Sequence, residues 1–198
     1  MTAEDTELRA IVEKVVRRTL GESPTSSARS AVADRETVPA SPITNYQLPA
    51  VALGADHGGF PLKESLKDFI SSLGYSVIDC GTHSTEAVDY PDLAYAVARL
   101  VSEGQAWRGV VVDGAGIGSC MAANKVPGVR AAMCYDHATA ANSREHNDAN
   151  VLTLGAGLIG PNLAKQIVEV WLKTEFGGGR HAKRVDKIID IERRFLKG

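Results

Sequence analysis

From residue 49 onward the chain repeats one pattern: a short, largely apolar run followed by a stretch with apolar residues at helical spacing. The runs are 50–54, 75–79, 109–112, 129–135 and 151–154, and helical spacing fills 60–73, 91–103, about 117–125, 136–147 and 161–174. A strand that is apolar along its whole length must be covered on both faces, and strands that alternate with helices pair in parallel. The pattern therefore predicts an α/β fold, a three-layer α/β/α sandwich of Rossmann-like kind with a five-stranded parallel sheet. A last helix over about 180–196 follows Gly177-Gly178-Gly179. It has no strand after it, so it is expected to reach across to a second subunit. No internal repeat is visible.

The first 48 residues have a different texture. Leu8, Ile11, Val12, Val15, Val16 and Leu20 share one face of a helix over 1–20, with Thr6 as its cap and Gly21 as its stop. Residues 21–48 are rich in Ser, Thr, Pro and Ala without periodicity and read as a flexible linker. So short a helix cannot bury its apolar stripe alone, and it is expected to dock onto its own domain, a sister subunit or another partner. Glu4, Asp5, Glu7 and Glu13 argue against a transit peptide, and no unbroken apolar core marks a secretory signal. The expected organisation is a helix over 1–20, a linker over 21–48 and one domain over 49–198.

Composition excludes several classes of function. With 22 basic and 24 acidic side chains the net charge is −2, which gives no electrostatic footprint for nucleic acid. No apolar run approaches the ~20 residues of a membrane-spanning helix. Cys80, Cys120 and Cys134 are odd in number and lack C-x-x-C spacing. They read as small packing residues in a reducing cytoplasm, not as a disulfide framework or a zinc site.

In open α/β sheets ligands bind at the carboxyl ends of the strands. The first strand ends in Gly54-Ala55-Asp56-His57-Gly58-Gly59 and the third in Asp113-Gly114-Ala115-Gly116-Ile117-Gly118-Ser119, while the helix after the fourth closes with Arg144-Glu145-His146-Asn147-Asp148. These three stretches are expected to gather on one edge. The glycine loop offers backbone N–H groups at a helix start, suited to an anion or a developing oxyanion. Asp136, 22 residues after Gly114, stands near the spacing of a ribose-binding acid, but G-x-G-x-G after a third strand departs from the dinucleotide fingerprint. A ligand-free tight turn is the plainer alternative.

Other residues have plain readings too. Asp56-His57 can be a helix N-cap beside a surface histidine, although the flanking glycines favour close backbone approach. His146 can be a helix C-terminal residue favoured by the dipole. Asp89 and Asp92 around Tyr90-Pro91 start the second helix. Arg180 and Arg184, at i and i+4 on the last helix, form either a solvated basic face or a phosphate clamp.

Six stretches occur in order across 49–198: G-A-D-H-G-G at 54–59, D-Y-P at 89–91, G-A-G-I-G at 114–118, A-A-N-K-V-P-G-V-R at 122–130, R-E-H-N-D-A-N-V at 144–151 and G-G-R-H-x-x-R-V at 178–185. Together they resemble the family of ribose-5-phosphate isomerase B and the galactose-6-phosphate isomerase subunits. The resemblance implies interconversion of aldose and ketose phosphates through a cis-enediolate, with no metal or organic cofactor. It also implies active sites shared between the subunits of a homodimer or homotetramer. By that resemblance Arg180 and Arg184 hold the substrate phosphate, with His57 nearby, and the loop Gly114, Ala115, Gly116, Ile117, Gly118 stabilises the enediolate oxygen. Asp56, His146 and Asn147 hold sugar hydroxyls, and His146 assists ring opening.

The chain departs from the family at its catalytic base. Asp113 stands where one branch has a cysteine, and Ser119 where another has a glutamate. A carboxylate can remove a proton α to a carbonyl, so Asp113 is expected to be the base, working at lower pH than a cysteine would. Ala115 stands where a threonine hydroxyl helps ring opening, which favours an acyclic tetrose phosphate. The alternative is a non-catalytic phosphosugar-binding protein that has lost its base. Residues 1–48 lie outside this resemblance. Their layout is similar instead to the peptides that recruit enzymes to the shell proteins of bacterial microcompartments, which would place the protein inside such a compartment in the cytoplasm.

Overall fold

A computed structural model describes residues 48–195, so the helix expected over 1–20 and nearly all of the expected linker lie outside the described residues. Five strands, β1 (Ala50–Ala55), β2 (Ser76–Asp79), β3 (Arg108–Asp113), β4 (Ala131–Met133) and β5 (Val151–Gly155), form one sheet in the order β2-β1-β3-β5-β4. Every pairing is parallel. The helices are α1 (Phe60–Ser72), α2 (Tyr90–Ser102), α3 (Ile117–Ala123), α4 (His137–Glu145), α5 (Pro161–Lys173) and α6 (Ala182–Phe195). The expected sandwich is what forms. β4, at the edge of the sheet and paired on one side only, is shorter than its apolar run. No helix among the described residues is long and apolar enough to cross a membrane.

Alternate residues of each strand serve opposite layers, as the two-residue period of a strand requires. Val51, Leu53, Val110, Val112, Leu152 and Leu154 face the layer of α1, α4 and α5, where Leu66, Ile70, Ile167 and Trp171 are fully buried. Ala52, Val111 and Val151 face α2 and α3 through Ala94, Val97, Ala98 and Ala123. The helices that follow the adjacent strands β1 and β3 thus leave to opposite faces. That divergence opens the crevice where α/β sheets take ligands, between the carboxyl ends of β1 and β3.

α1 is fastened to the sheet by a buried cation. The Lys63 ammonium is fully buried and sits 2.7 Å from Asp79 Oδ1 and 2.9 Å from Glu64 Oε1. The more exposed Lys67 reaches Glu64 at 2.8 Å and Asp79 at 3.2 Å. Burial pulls the Asp79 carboxyl upward, but hydrogen bonds from Lys63, the Gly81 N–H and Lys67 outweigh it and hold the group below the usual carboxylate range. Removing one partner of such a pair leaves an uncompensated charge in the core. Asp79→Ala should therefore lower the unfolding free energy in urea by about 3 kcal/mol, whereas Lys67→Ala should cost under about 1 kcal/mol. Because the folded Asp79 titrates below the unfolded group, its stabilisation is complete above about pH 4 and is lost as pH falls through the folded value. The alanine variant should lack that part of the acid slope.

Candidate active site

The first cluster forms at the carboxyl edge. Ala55 pairs with Val112, so Asp56 and Asp113 leave the sheet side by side, and the Asp56 N–H donates to the Val112 carbonyl at 3.1 Å. Asp56 Oδ1 accepts from the Gly59 N–H at 2.8 Å. Gly59, and not Asp56, is the N-cap of α1, so the Asp56 carboxylate stiffens the turn that carries His57. The exposed His57 holds its Nδ1 3.2 Å from the Val88 carbonyl oxygen, against the segment entering α2. Asp89 is the N-cap of α2 and Asp92 lies in its first turn, as their spacing suggested. Tyr90, 41% exposed, lies over the glycine loop: a Cβ on Gly118 would stand 2.5 Å from its ring. Only a residue without a side chain lets the ring sit there. Tyr90 escaped the sequence reading as a site residue, though the D-Y-P stretch that carries it was visible.

Asp113 is the most heavily hydrogen-bonded side chain of this edge. It is 4% exposed and its carboxylate turns back into its own loop. Oδ1 accepts from the N–H groups of Ala115, at 2.8 Å, and Gly116; Oδ2 accepts from Ser119 N–H at 3.0 Å. The loop is braced from behind, since Thr153 Oγ1 donates to the Gly116 carbonyl at 2.8 Å and the Tyr135 hydroxyl to that of Ala115 at 3.3 Å. Two amides of the loop expected to meet an anion, those of Ala115 and Gly116, are thus occupied by the chain's own carboxylate, as is that of Ser119 just beyond it. Among the described residues the N–H groups of Gly114, Ile117 and Gly118 have no acceptor, which leaves them available to a ligand oxygen. The ribose-acid alternative also resolves: Asp136 is the N-cap of α4 in a capping box with Thr139. Burial pushes the thiols of Cys80, Cys120 and Cys134 upward, in keeping with packing roles.

The second cluster is not where the sequence reading put it. In a parallel sheet each helix runs back against its strand, so α4, which leaves the carboxyl end of β4, delivers its last residues to the amino edge. His146 is its C-cap and Asn147 follows, shortly before β5 begins at Val151. Asp148, with φ 47°, is held at this edge by Arg130 at 2.8 Å and Arg144 at 2.9 Å. His146 and Asn147 therefore stand on the edge opposite Asp56, His57 and Asp113.

Arg180 and Arg184 join His146. The buried Arg108, stacked 3.9 Å over the Trp107 ring, donates to the carbonyls of Trp171 and Leu172 at 2.8 and 2.7 Å and gathers in the end of α5. Burial and the nearby Arg144 lower its guanidinium to about 10, which leaves it charged at neutral pH. Further along, the Gly177 N–H donates to the Glu145 carbonyl at 2.9 Å, which docks the segment on the end of α4. Gly178 and Gly179, at φ 59° and 54°, then form a turn, so Arg180 lies in that turn and only Arg184 lies on α6. The two arginines do not share a helix face as expected, because the left-handed pair delays the helix start to Ala182. Between them His181, also unmarked by the sequence reading although it lies within the G-G-R-H stretch, stacks on His146 with ring centroids 4.1 Å apart. Its partial burial, with the charges of His146, Arg180 and Arg184, holds the His181 imidazole below the usual range. α6 buries only Val185; it leaves Ile188, Ile191 and Phe195 exposed along a groove of about 750 Å³ that also touches Arg130 and Asn147.

The sequence pattern of the Ribose/Galactose Isomerase family matches residues 51–188. Ribose-5-phosphate isomerase B of Escherichia coli is 44% identical over 144 residues, 73% of this chain and 97% of that protein. D-erythrulose-4-phosphate isomerase of Pectobacterium atrosepticum is 44% identical over 140 residues, 70% of this chain and 92% of that protein. Among solved structures, ribose-5-phosphate isomerase B of Clostridium thermocellum superimposes with a TM-score of 0.73 at 53% identity, covering 74% of this chain and 99% of its own. That of Mycoplasma genitalium with bound ribulose-5-phosphate gives a TM-score of 0.71 at 39% identity, covering 73% and 96%. Fold, site loops and relatives agree: the chain belongs to the ribose/galactose isomerase family and is a sugar-phosphate isomerase.

Proposed function

We propose that two copies of this chain build each active site and that the site isomerises a small aldose or ketose phosphate through a cis-enediolate. The observation that carries the shared site is the separation of its parts. Asp56, His57, Asp113 and the free amides of Ile117 and Gly118 stand at the carboxyl edge, whereas His146, Asn147, Arg180 and Arg184 stand at the amino edge. A strand length of roughly 17–20 Å lies between them, too far for one small sugar phosphate to bridge. A twofold pair brings the carboxyl edge of one copy to the amino edge of the other, and forms two equal sites at once. The exposed apolar face of α6 is the surface suited to such pairing.

In this reading Arg180 and Arg184 of one copy take the phosphate, for which planar guanidinium groups are matched, with His57 of the other nearby. Asp56, His146 and Asn147 orient the sugar hydroxyls, and His146 assists ring opening of any substrate that cyclises. Asp113 is the base. An ionised carboxylate has about four acceptor positions; both on Oδ1 and one on Oδ2 are filled by amides, which leaves one lone pair on Oδ2. That lone pair takes the proton α to the carbonyl, while the amides of Ile117 and Gly118 receive the charge that develops on oxygen. Ala115 offers no hydroxyl for ring opening, which favours D-erythrulose 4-phosphate, a ketose that cannot close a furanose through its phosphorylated oxygen, over ribose 5-phosphate.

Kinetics on both sugars test base and substrate together. Asp113→Asn should lower kcat at least about 100-fold with phosphosugar binding retained, and kcat/KM should be higher for the four-carbon substrate. A fully active Asn variant would remove Asp113 from the mechanism, silence of the unaltered chain on both sugars with binding retained would favour the non-catalytic reading, and a preference for ribose 5-phosphate would reject the tetrose. Mixing tests the shared site. Asp113→Asn and Arg180→Ala with Arg184→Ala should each be inactive as pure proteins. Re-paired at random, they should regain about a quarter of full activity, because each mixed pair holds one intact site. No recovery despite subunit exchange would show that each chain builds its own site.

The reading extends to residues 1–20 as a peptide that directs the enzyme to a microcompartment shell, supported by their apolar stripe and the Pro/Ser/Ala-rich stretch after it. Deleting 1–48 should leave kcat/KM unchanged and release the enzyme from the shell fraction of cells that assemble one. Retention in that fraction would refute the targeting role.

A further inference from the structure

One helical turn separates Asn142, on α4, from His146 at its end, and their side chains meet. Asn142 Nδ2 stands 2.8 Å from His146 Nδ1. An amide nitrogen only donates, so Nδ1 accepts, and the neutral ring then carries its proton on Nε2. The His181 ring, inclined by 4° to that of His146, fixes the plane of the imidazole but not which edge bears Nδ1. Asn142 makes that choice. His181 in turn accepts from Arg180 Nε at 3.3 Å through its own Nε2, as a neutral ring does. The charged groups that bear on the stacked pair are Glu145 on α4 and Arg180 and Arg184 around the start of α6. Glu145 Oε1 lies 3.9 Å from His146 Nε2, beyond hydrogen-bond distance, so Nε2 is left for a ligand.

We propose that Asn142 is a positioning residue for His146: its amide keeps the proton of the neutral imidazole on Nε2, so that His146 donates to a substrate oxygen whatever its charge. This rests on the reading of His146 as a sugar contact. A cationic imidazole carries N–H on both nitrogens and donates from Nε2 in any case, whereas a neutral ring donates there in one tautomer only. With that tautomer fixed, the donor does not disappear as pH rises through the imidazole range. The substrate oxygen opposite His146 is then one that accepts, a carbonyl or hydroxyl oxygen of the sugar, and a group that could only donate is disfavoured there.

Asn142 is exposed, so substitutions there leave the core untouched. Asn142→Asp exchanges the donor for an acceptor of nearly the same shape. The carboxylate takes the proton on Nδ1, and the neutral ring is left with a lone pair on Nε2 and nothing to donate; the cationic ring still donates. The kcat/KM of this variant relative to the unaltered full chain is followed on D-erythrulose 4-phosphate and ribose 5-phosphate. That ratio should fall about tenfold between about pH 6 and about pH 9, as the imidazole loses its charge. The added negative charge beside Arg180 and Arg184 lowers the ratio at every pH alike, so the slope is what is read. Asn142→Leu, which supplies no acceptor, should change the ratio by less than about threefold over the same range. Nitrogen-15 NMR at about pH 9 should place the His146 proton on Nε2 in the unaltered chain and on Nδ1 in Asn142→Asp, with His146→Gln identifying the signal. A neutral His146 protonated on Nδ1 in the unaltered chain overturns the proposal. So does a flat ratio for Asn142→Asp once its spectrum shows the tautomer exchanged. Full activity of His146→Gln removes His146 from the substrate, and the proposal falls with the reading beneath it.

Discussion

All five strands of the sheet point the same way, and this polarity determines where every functional group can stand. Loops that follow strands collect at one edge; loops that follow helices collect at the other. Asp56, His57 and Asp113 are of the first kind, and His146, Asn147 and Arg180 of the second. The sandwich is thus a carrier with two chemically different ends. One holds carboxylates and free amides, and the other holds imidazoles and guanidinium groups.

The two ends are built by different means. At the carboxyl edge, position comes from the backbone: amides hold the Asp113 carboxylate, and Gly118 leaves room for the Tyr90 ring. At the amino edge it comes from long side chains. Arg108 reaches under the end of α5, Arg144 and Arg130 grip Asp148, and the His146–His181 stack joins two segments far apart in sequence. Each buried guanidinium there is satisfied by carbonyls or a carboxylate, as a charge removed from water requires.

Much of this was legible in the residue pattern. Largely apolar runs separated by helical spacing point to a parallel sheet covered on both faces, and the polar ends of the first and third runs mark the crevice. Direction in space was harder to read. Arg144-Glu145-His146-Asn147 looks like part of one polar rim until α4 is seen to return against β4, because periodicity identifies an element without saying which edge its end reaches. Arg180 looks helical at i and i+4 from Arg184, but two left-handed glycines intervene. The closure of the Asp113 carboxylate onto its own amides leaves no trace in periodicity at all. It depends on a turn whose geometry Gly116, at φ 78°, makes available.

The donors around Asp113 are main-chain groups, and main-chain groups persist when side chains change. Ala115 or Ser119 can be exchanged for another residue of similar size while the amides that orient the carboxylate stay in place. The orientation of the carboxylate is thereby uncoupled from the side chains around it. Over evolutionary time such a turn can exchange the side chains it carries without dismantling the frame that aims the carboxylate, a latitude that a cluster assembled from interlocking side chains lacks.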